Sequence, residues 1–115
     1  MIKLEHILFD IWLKDDHFIK FVEPLRSIIV DAAKQGGAHI IYEQWHQFEP
    51  WGVTGFLLLQ ESHISIHTWP EEENFAAIDI FPCGSMNNNL IINSIRENLK
   101  PAKENLLRVS RGSNR

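Results

Sequence analysis

His63-Ile64-Ser65-Ile66-His67-Thr68-Trp69, followed after Pro70-Glu71-Glu72-Glu73-Asn74 by Phe75-Ala76-Ala77-Ile78-Asp79-Ile80-Phe81, is the stretch on which the fold turns. In its first part Ile64 and Ile66 alternate with His63, Ser65, His67 and Trp69. This is the period-two pattern of a strand with one apolar and one polar face. The proline and the acidic run read as a turn, and the second apolar segment returns as a strand. The result is a hairpin, with Cys83 just past its end and two imidazoles and an indole on the polar face of its first strand.

On the N-terminal side of this hairpin, Gly52–Gln60 and Ala38–Trp45 read as two more strands, joined by a loop that holds Phe48, Pro50 and Trp51. Leu25, Ile28, Ile29, Ala32 and Ala33 repeat at helical spacing and run into Gly36-Gly37, which suits a left-handed cap. Pro24 then belongs in the first helical turn, where its missing N–H costs nothing. Leu4–Leu13 is dense in apolar residues without a turn residue, and is expected to be a strand buried on both faces. Beyond the hairpin, Met86–Leu99 places Leu90, Ile91, Ile95 and Leu99 on one helical face and stops before Pro101. Leu106–Val109 reads as a last short strand. The order β, α, β, β, β, β, α, β favours an α+β, two-layer sandwich: a mainly antiparallel sheet with both helices on one face.

Length and composition bound the function. With 115 residues, 44% hydrophobic and 23% charged, the chain is expected to be a single domain, 1–115. It contains no apolar run of membrane-spanning length and no signal-peptide pattern, so the cytoplasm is the expected location and no membrane partner is expected. Eleven basic against fifteen acidic residues leave a net charge of −4 and no basic stripe, which argues against nucleic-acid binding. The lone cysteine, Cys83, excludes an internal disulfide. A chain this small buries a modest share of its surface, which raises the expectation of an oligomer.

Between Gly52 and Gly84 lie Thr54, Glu61-Ser62-His63, His67 and Cys83. Singly, each has an ordinary structural role. Together they allow three chemistries. A zinc site on His63, His67 and Cys83 is disfavoured, because residues four apart on a strand stand about 13 Å from each other; no metal is expected. A cysteine nucleophile activated by His67 is possible chemistry, but it leaves Glu61-Ser62 unused. The third uses more of the residues. A serine can attack its own preceding carbonyl, and elimination of the resulting ester followed by hydrolysis leaves a pyruvoyl group at the head of a new chain. That route needs a strained Xaa-Ser bond, an imidazole to move protons and a donor for the oxyanion. Glu61-Ser62, His67 and Thr54 are the residues available for those parts.

The stretch from His46 to Gly84, with Glu61-Ser62-His63-Ile64-Ser65-Ile66-His67-Thr68-Trp69-Pro70-Glu71 and Pro82-Cys83-Gly84 at its centre, resembles the bacterial and archaeal S-adenosylmethionine decarboxylase proenzymes. The resemblance implies cleavage between Glu61 and Ser62, giving a β chain of residues 1–61 and an α chain of residues 62–115 headed by a pyruvoyl cofactor made from Ser62. It further implies that His67 assists processing and that Cys83 is the proton donor in catalysis. Phe48 and Trp69 would flank the adenine, and Glu71 would accept hydrogen bonds from the ribose. The activity implied is decarboxylation through a Schiff base on the pyruvoyl ketone, supplying polyamine synthesis, in a homodimer of processed αβ units. Relatives acting on ornithine or arginine, and an uncleaved non-enzymatic homologue, are the alternatives. Thr54 stands where the family has serine, and the Glu71–Phe75 turn is one residue longer than the family's.

Overall fold

The computed structural model describes residues 4–81 and 86–112. The elements follow the expected order: β1 (Leu4–Trp12), α1 (Val22–Gln35), β2 (Ile40–Gln47), β3 (Val53–Leu59), β4 (Ser62–Trp69), β5 (Phe75–Phe81), α2 (Asn88–Leu99) and β6 (Lys103–Arg111). The strands form one sheet in the order β2-β3-β4-β5-β1-β6. Every ladder in it is antiparallel. Alternation decides which face is buried. Ile7, Phe9 and Ile11 of β1, Ile64 and Ile66 of β4, and Ile78 and Ile80 of β5 point one way. They meet Leu25, Ile29, Ala32 and Ala33 of α1 and Ile91, Ile95 and Leu99 of α2 in a single core. The architecture is the expected α+β two-layer sandwich.

Local chemistry explains the helix ends. Glu23 is extended and Pro24 opens the regular part of α1. At the other end Gly37 takes φ +80, and a side chain on Gly36 would collide with Ile91 and come within 2.8 Å of the Asn87 carbonyl. The two glycines therefore do different work: Gly37 turns the chain, and Gly36 lets α2 start against the end of α1, where Asn87 N–H donates to Gly36 O at 2.8 Å. The Asn87 side chain caps α2 by accepting from Leu90 N–H.

Three expectations need correction. β1 is buried on one face only; Leu8, Asp10 and Trp12 occupy the other and are half-buried, because no layer among the described residues covers that side. Leu90 points outward, 47% exposed, and Ile92 is buried in its place. The last strand spans nine residues instead of four and pairs with β1 throughout. Its sequence hides this because β6 is an edge strand, exposed almost along its length, so no apolar alternation marks it.

Among the described residues, no layer covers the face of the sheet opposite the helices. That face carries His6 and Asp10 from β1, Thr54 and Phe56 from β3, and His63, Ser65, His67 and Trp69 from β4. Among its exposed apolar side chains are Phe56, Leu58, Leu107 and Val109.

Candidate active site

The β3–β4 ladder carries two chemically distinct ends. At one end Thr54 stands opposite His67, and at the other Leu59 stands opposite Ser62. Thr54 Oγ1 lies 3.1 Å from His67 Nδ1, a hydrogen bond whose direction follows the imidazole tautomer. Their side chains open into a cleft of about 450 Å³ whose lining includes Phe48, Trp51, Trp69 and Glu71. Thus five of the residues singled out in the sequence (Phe48, Thr54, His67, Trp69 and Glu71) are brought together.

The cleft is held by the backbone of its own loop. Phe48 N–H donates to Gly52 O at 2.9 Å, and Gly52 N–H to Lys20 O at 2.8 Å. The Gln47 amide donates to the Lys20, Phe48 and Gly52 carbonyls. Thr68 is buried beneath, accepting from Val53 N–H and donating to Ile19 O. These bonds fix the aromatic walls. The His46 ring meets Phe48 edge-on at 4.6 Å, and Trp69 stacks on Phe75 at 5.5 Å. Trp51 is an additional wall whose ring lies 4.7 Å from the Lys20 ammonium. An aromatic residue in the loop beside Phe48 was visible in the sequence, but a loop position has no periodicity to say where its ring points.

The Ser62 end is different. Gln60-Glu61 form the tip of a tight β3–β4 hairpin. Such two-residue tips favour left-handed backbone at both central positions, hence Asn-Gly or Asp-Gly. Gln60 and Glu61 are not left-handed; the positive φ falls on Ser62, at +141. A non-glycine residue there carries strain on the order of 1–3 kcal/mol. Glu61 is tied down beside it. Its carboxylate accepts from the backbone N–H of His39 at 3.0 Å and lies 2.6 Å from His39 Nδ1. The His39 hydrogen bonds hold the Glu61 carboxyl below its ordinary range.

Within one chain the two ends do not meet. Five residues along a strand separate Ser62 from His67, about 16 Å at the usual rise. Ser62 instead borders a groove with Phe56, Leu58, His63 and Phe81. Cys83 lies outside the described residues. Between the two ends the open face carries a polar cluster beside Phe56: Ser65 Oγ donates to Asp79 at 3.2 Å, and His6 Nε2 lies 3.5 Å from the same carboxylate. Burial, with the Asp79 charge added, pushes the Asp10 carboxyl up. Burial, with His6 added, pulls His63 down.

The family model described as S-adenosylmethionine decarboxylase matches residues 5–112. The chain belongs to this family. It is 42% identical over 110 residues to an S-adenosylmethionine decarboxylase proenzyme of Methanococcus aeolicus, covering 95% of this chain and 93% of that protein. It is 40% identical over 109 residues to S-adenosylmethionine decarboxylase proenzyme 2 of Bacillus cereus, covering 94% and 88%. The solved adenosylmethionine decarboxylase of Aquifex aeolicus superposes with a TM-score of 0.88 at 34% identity, covering 97% of this chain and 92% of that one. The decarboxylase family membership accounts for the sheet order and the helix layer together, and no helix among the described residues is long and apolar enough to cross a membrane.

Proposed function

We propose that this member of the family is itself a self-processing, pyruvoyl-dependent S-adenosylmethionine decarboxylase. The observation that carries the reading is the strained serine: in a chain whose relatives are named proenzymes, positive φ falls on Ser62 of Glu61-Ser62 instead of on the hairpin tip.

Self-cleavage needs only the chain's own atoms and one water. Ser62 Oγ attacks the Glu61 carbonyl carbon while its proton is carried to the departing Ser62 nitrogen, and the peptide becomes an ester. Loss of the Ser62 α-proton with cleavage of the Cβ–Oγ bond frees Glu61 as a C-terminal carboxylate. The dehydroalanine left behind takes up water and loses ammonia, which makes the pyruvoyl group. His67 is the proton carrier and Thr54 the donor to the oxyanion on Glu61. Once formed, the group supplies an electron sink for loss of the substrate carboxylate. Cys83 returns a proton to the substrate α-carbon.

His67 and Thr54 can serve Ser62 only from another copy, because about 16 Å of strand separates them within one chain. Two chains packed through their open sheet faces would set the Ser62 end of each beside the Thr54–His67 end of the other. They would also cover Phe56 and Leu58, and hence we assign a homodimer with shared sites. In the cleft, the Phe48 and Trp69 rings suit an adenine and a sulfonium cation, which is attracted to aromatic faces. Glu71 suits the ribose hydroxyls. The product would enter polyamine synthesis in the cytoplasm.

The test is release of carbon dioxide by the purified protein from carboxyl-labelled S-adenosylmethionine, ornithine and arginine, assayed side by side. Release from S-adenosylmethionine alone supports the reading; release from ornithine or arginine alone overturns the substrate. No release from any of the three, with the chain intact, overturns the enzyme.

A further inference from the structure

The residue on the N-terminal side of the scissile bond has a partner that self-cleavage chemistry does not by itself require. Both carboxylate oxygens of Glu61 are engaged by one residue: Oε1 accepts from His39 N–H at 3.0 Å, and Oε2 lies 2.6 Å from His39 Nδ1. A third bond, Gln60 N–H to His39 O at 2.8 Å, closes the tie between the hairpin tip and the chain just before β2. The Glu61 side chain is 11% exposed, whereas His39 faces solvent at 68%. A solvent-facing imidazole thus covers a carboxylate that sits beside the bond to be cut.

We propose that His39 is a positioning residue for self-cleavage, holding the Glu61 carboxylate away from its own carbonyl; the inference rests on the self-processing reading above. The reason is chemical. When Ser62 Oγ adds to Glu61, negative charge develops on the Glu61 carbonyl oxygen, and a loose carboxylate three carbons away opposes it electrostatically. That carboxylate can also close a six-membered ring on the same carbonyl carbon and compete with Ser62 for it. Directed onto His39, it does neither. The clamp also fixes the orientation of the Glu61 peptide unit, and with it the backbone geometry at which Ser62 enters β4.

The donor at Nδ1 can be tested by size. Asparagine places an amide nitrogen close to where His39 has Nδ1; alanine keeps the backbone N–H and removes only the ring. The experiment follows conversion of newly synthesised 115-residue precursor into chains of 61 and 54 residues, by gel and intact mass in a cell-free chase. His39→Ala is expected to slow conversion roughly fivefold, between the effects of an exposed ion pair and a charged hydrogen bond. His39→Asn is expected to recover to within about twofold, since the donor returns. In a Glu61→Ala background, His39→Ala is expected to change the rate no further, because nothing remains for it to hold.

Conversion of His39→Ala at the wild-type rate overturns the proposal. So does equal slowing with and without the Glu61 carboxylate, or unfolding of His39→Ala in an uncleavable Ser62→Ala chain that is otherwise stable, since either makes His39 structural. A wild-type chain that never converts overturns the self-processing reading itself, which distinguishes that failure from failure of the clamp.

Discussion

Thr54→Val separates two roles for the threonine hydroxyl, because that hydroxyl has a single proton. If Thr54 donates to His67 Nδ1, it only orients the imidazole, and the proton is spent. If His67 Nδ1–H donates to Thr54, the hydroxyl proton is free for the oxyanion that forms on Glu61. The observed 3.1 Å contact allows either tautomer. The magnitudes differ widely. Losing an orienting hydrogen bond between neutral groups costs about 1 kcal/mol, or roughly fivefold in rate. Losing an oxyanion donor costs about 10²–10³-fold. Valine preserves the branched shape, and the opposing His67 backbone pairing is unaffected. In the proposed mechanism Thr54 has the second role, so precursor conversion in Thr54→Val should fall by about 100-fold, and Thr54→Ser should convert within about threefold of wild type. The assay is the rate of appearance of the two chains by intact mass. A Thr54→Val rate within about fivefold of wild type would refute the oxyanion role and leave Thr54 an orienting residue only.

Mixing in one cell a Ser62→Ala chain with a His67→Ala chain should restore cleavage of the His67→Ala chain alone, because only that chain has a serine facing an intact imidazole of its partner; mass analysis that finds neither chain cut would place the site within one chain. Gly55→Ala should destabilise an uncleavable Ser62→Ala precursor by about 1–3 kcal/mol in thermal or urea unfolding, since the new methyl group enters the Trp45 ring. Hydrogen bonds from Arg26 hold the Glu43 carboxyl below its ordinary value of 4.5, so its stabilisation is complete above that value and is lost as pH falls through the lower folded one. Accordingly, Glu43→Gln should flatten acid unfolding below about pH 5 and lower the melting midpoint at pH 7 by only roughly 2–4 °C, as befits a half-exposed pair. Glu71→Gln and Phe48→Ala should each raise KM for S-adenosylmethionine about tenfold while leaving precursor conversion unchanged, because of the cleft residues only Thr54 and His67 take part in the proton and oxyanion steps of cleavage.

Most of the fold was legible because the sequence alternates where one face is buried. Ile64 and Ile66 against His63, Ser65 and His67 gave β4 its face, and the isoleucines of β5 gave its partner. Legibility failed where burial failed. β6, exposed along an edge, shows an apolar run over only four of its nine residues, and the helical repeat of α2 points to Leu90 although it also allows Ile92. β1 reads as doubly buried because Leu8 and Trp12 are apolar, although they lie on the face that no layer covers among the described residues. The site divides in the same way. Of the cleft residues, Thr54 and His67 stand out in the sequence by their chemistry, whereas Phe48, Trp69 and Glu71 are named only by the family resemblance; the fold brings all five to one cleft. The distance from Ser62 to His67 was implicit in a strand of that length, since the rise that argued against a zinc site applies equally to the serine and its imidazole. The His39–Glu61 tie had no local signal at all, because it joins residues 22 positions apart through a turn whose closure only the fold decides.

The intact mass of the purified protein, with a Ser62→Ala control, decides whether the chain cuts itself between Glu61 and Ser62. Two chains of 61 and 54 residues, the shorter one blocked at its N-terminus, with the Ser62→Ala chain remaining whole, are the predicted result. A single 13.4 kDa species from the wild-type sequence, or fragmentation that persists in Ser62→Ala, would contradict it.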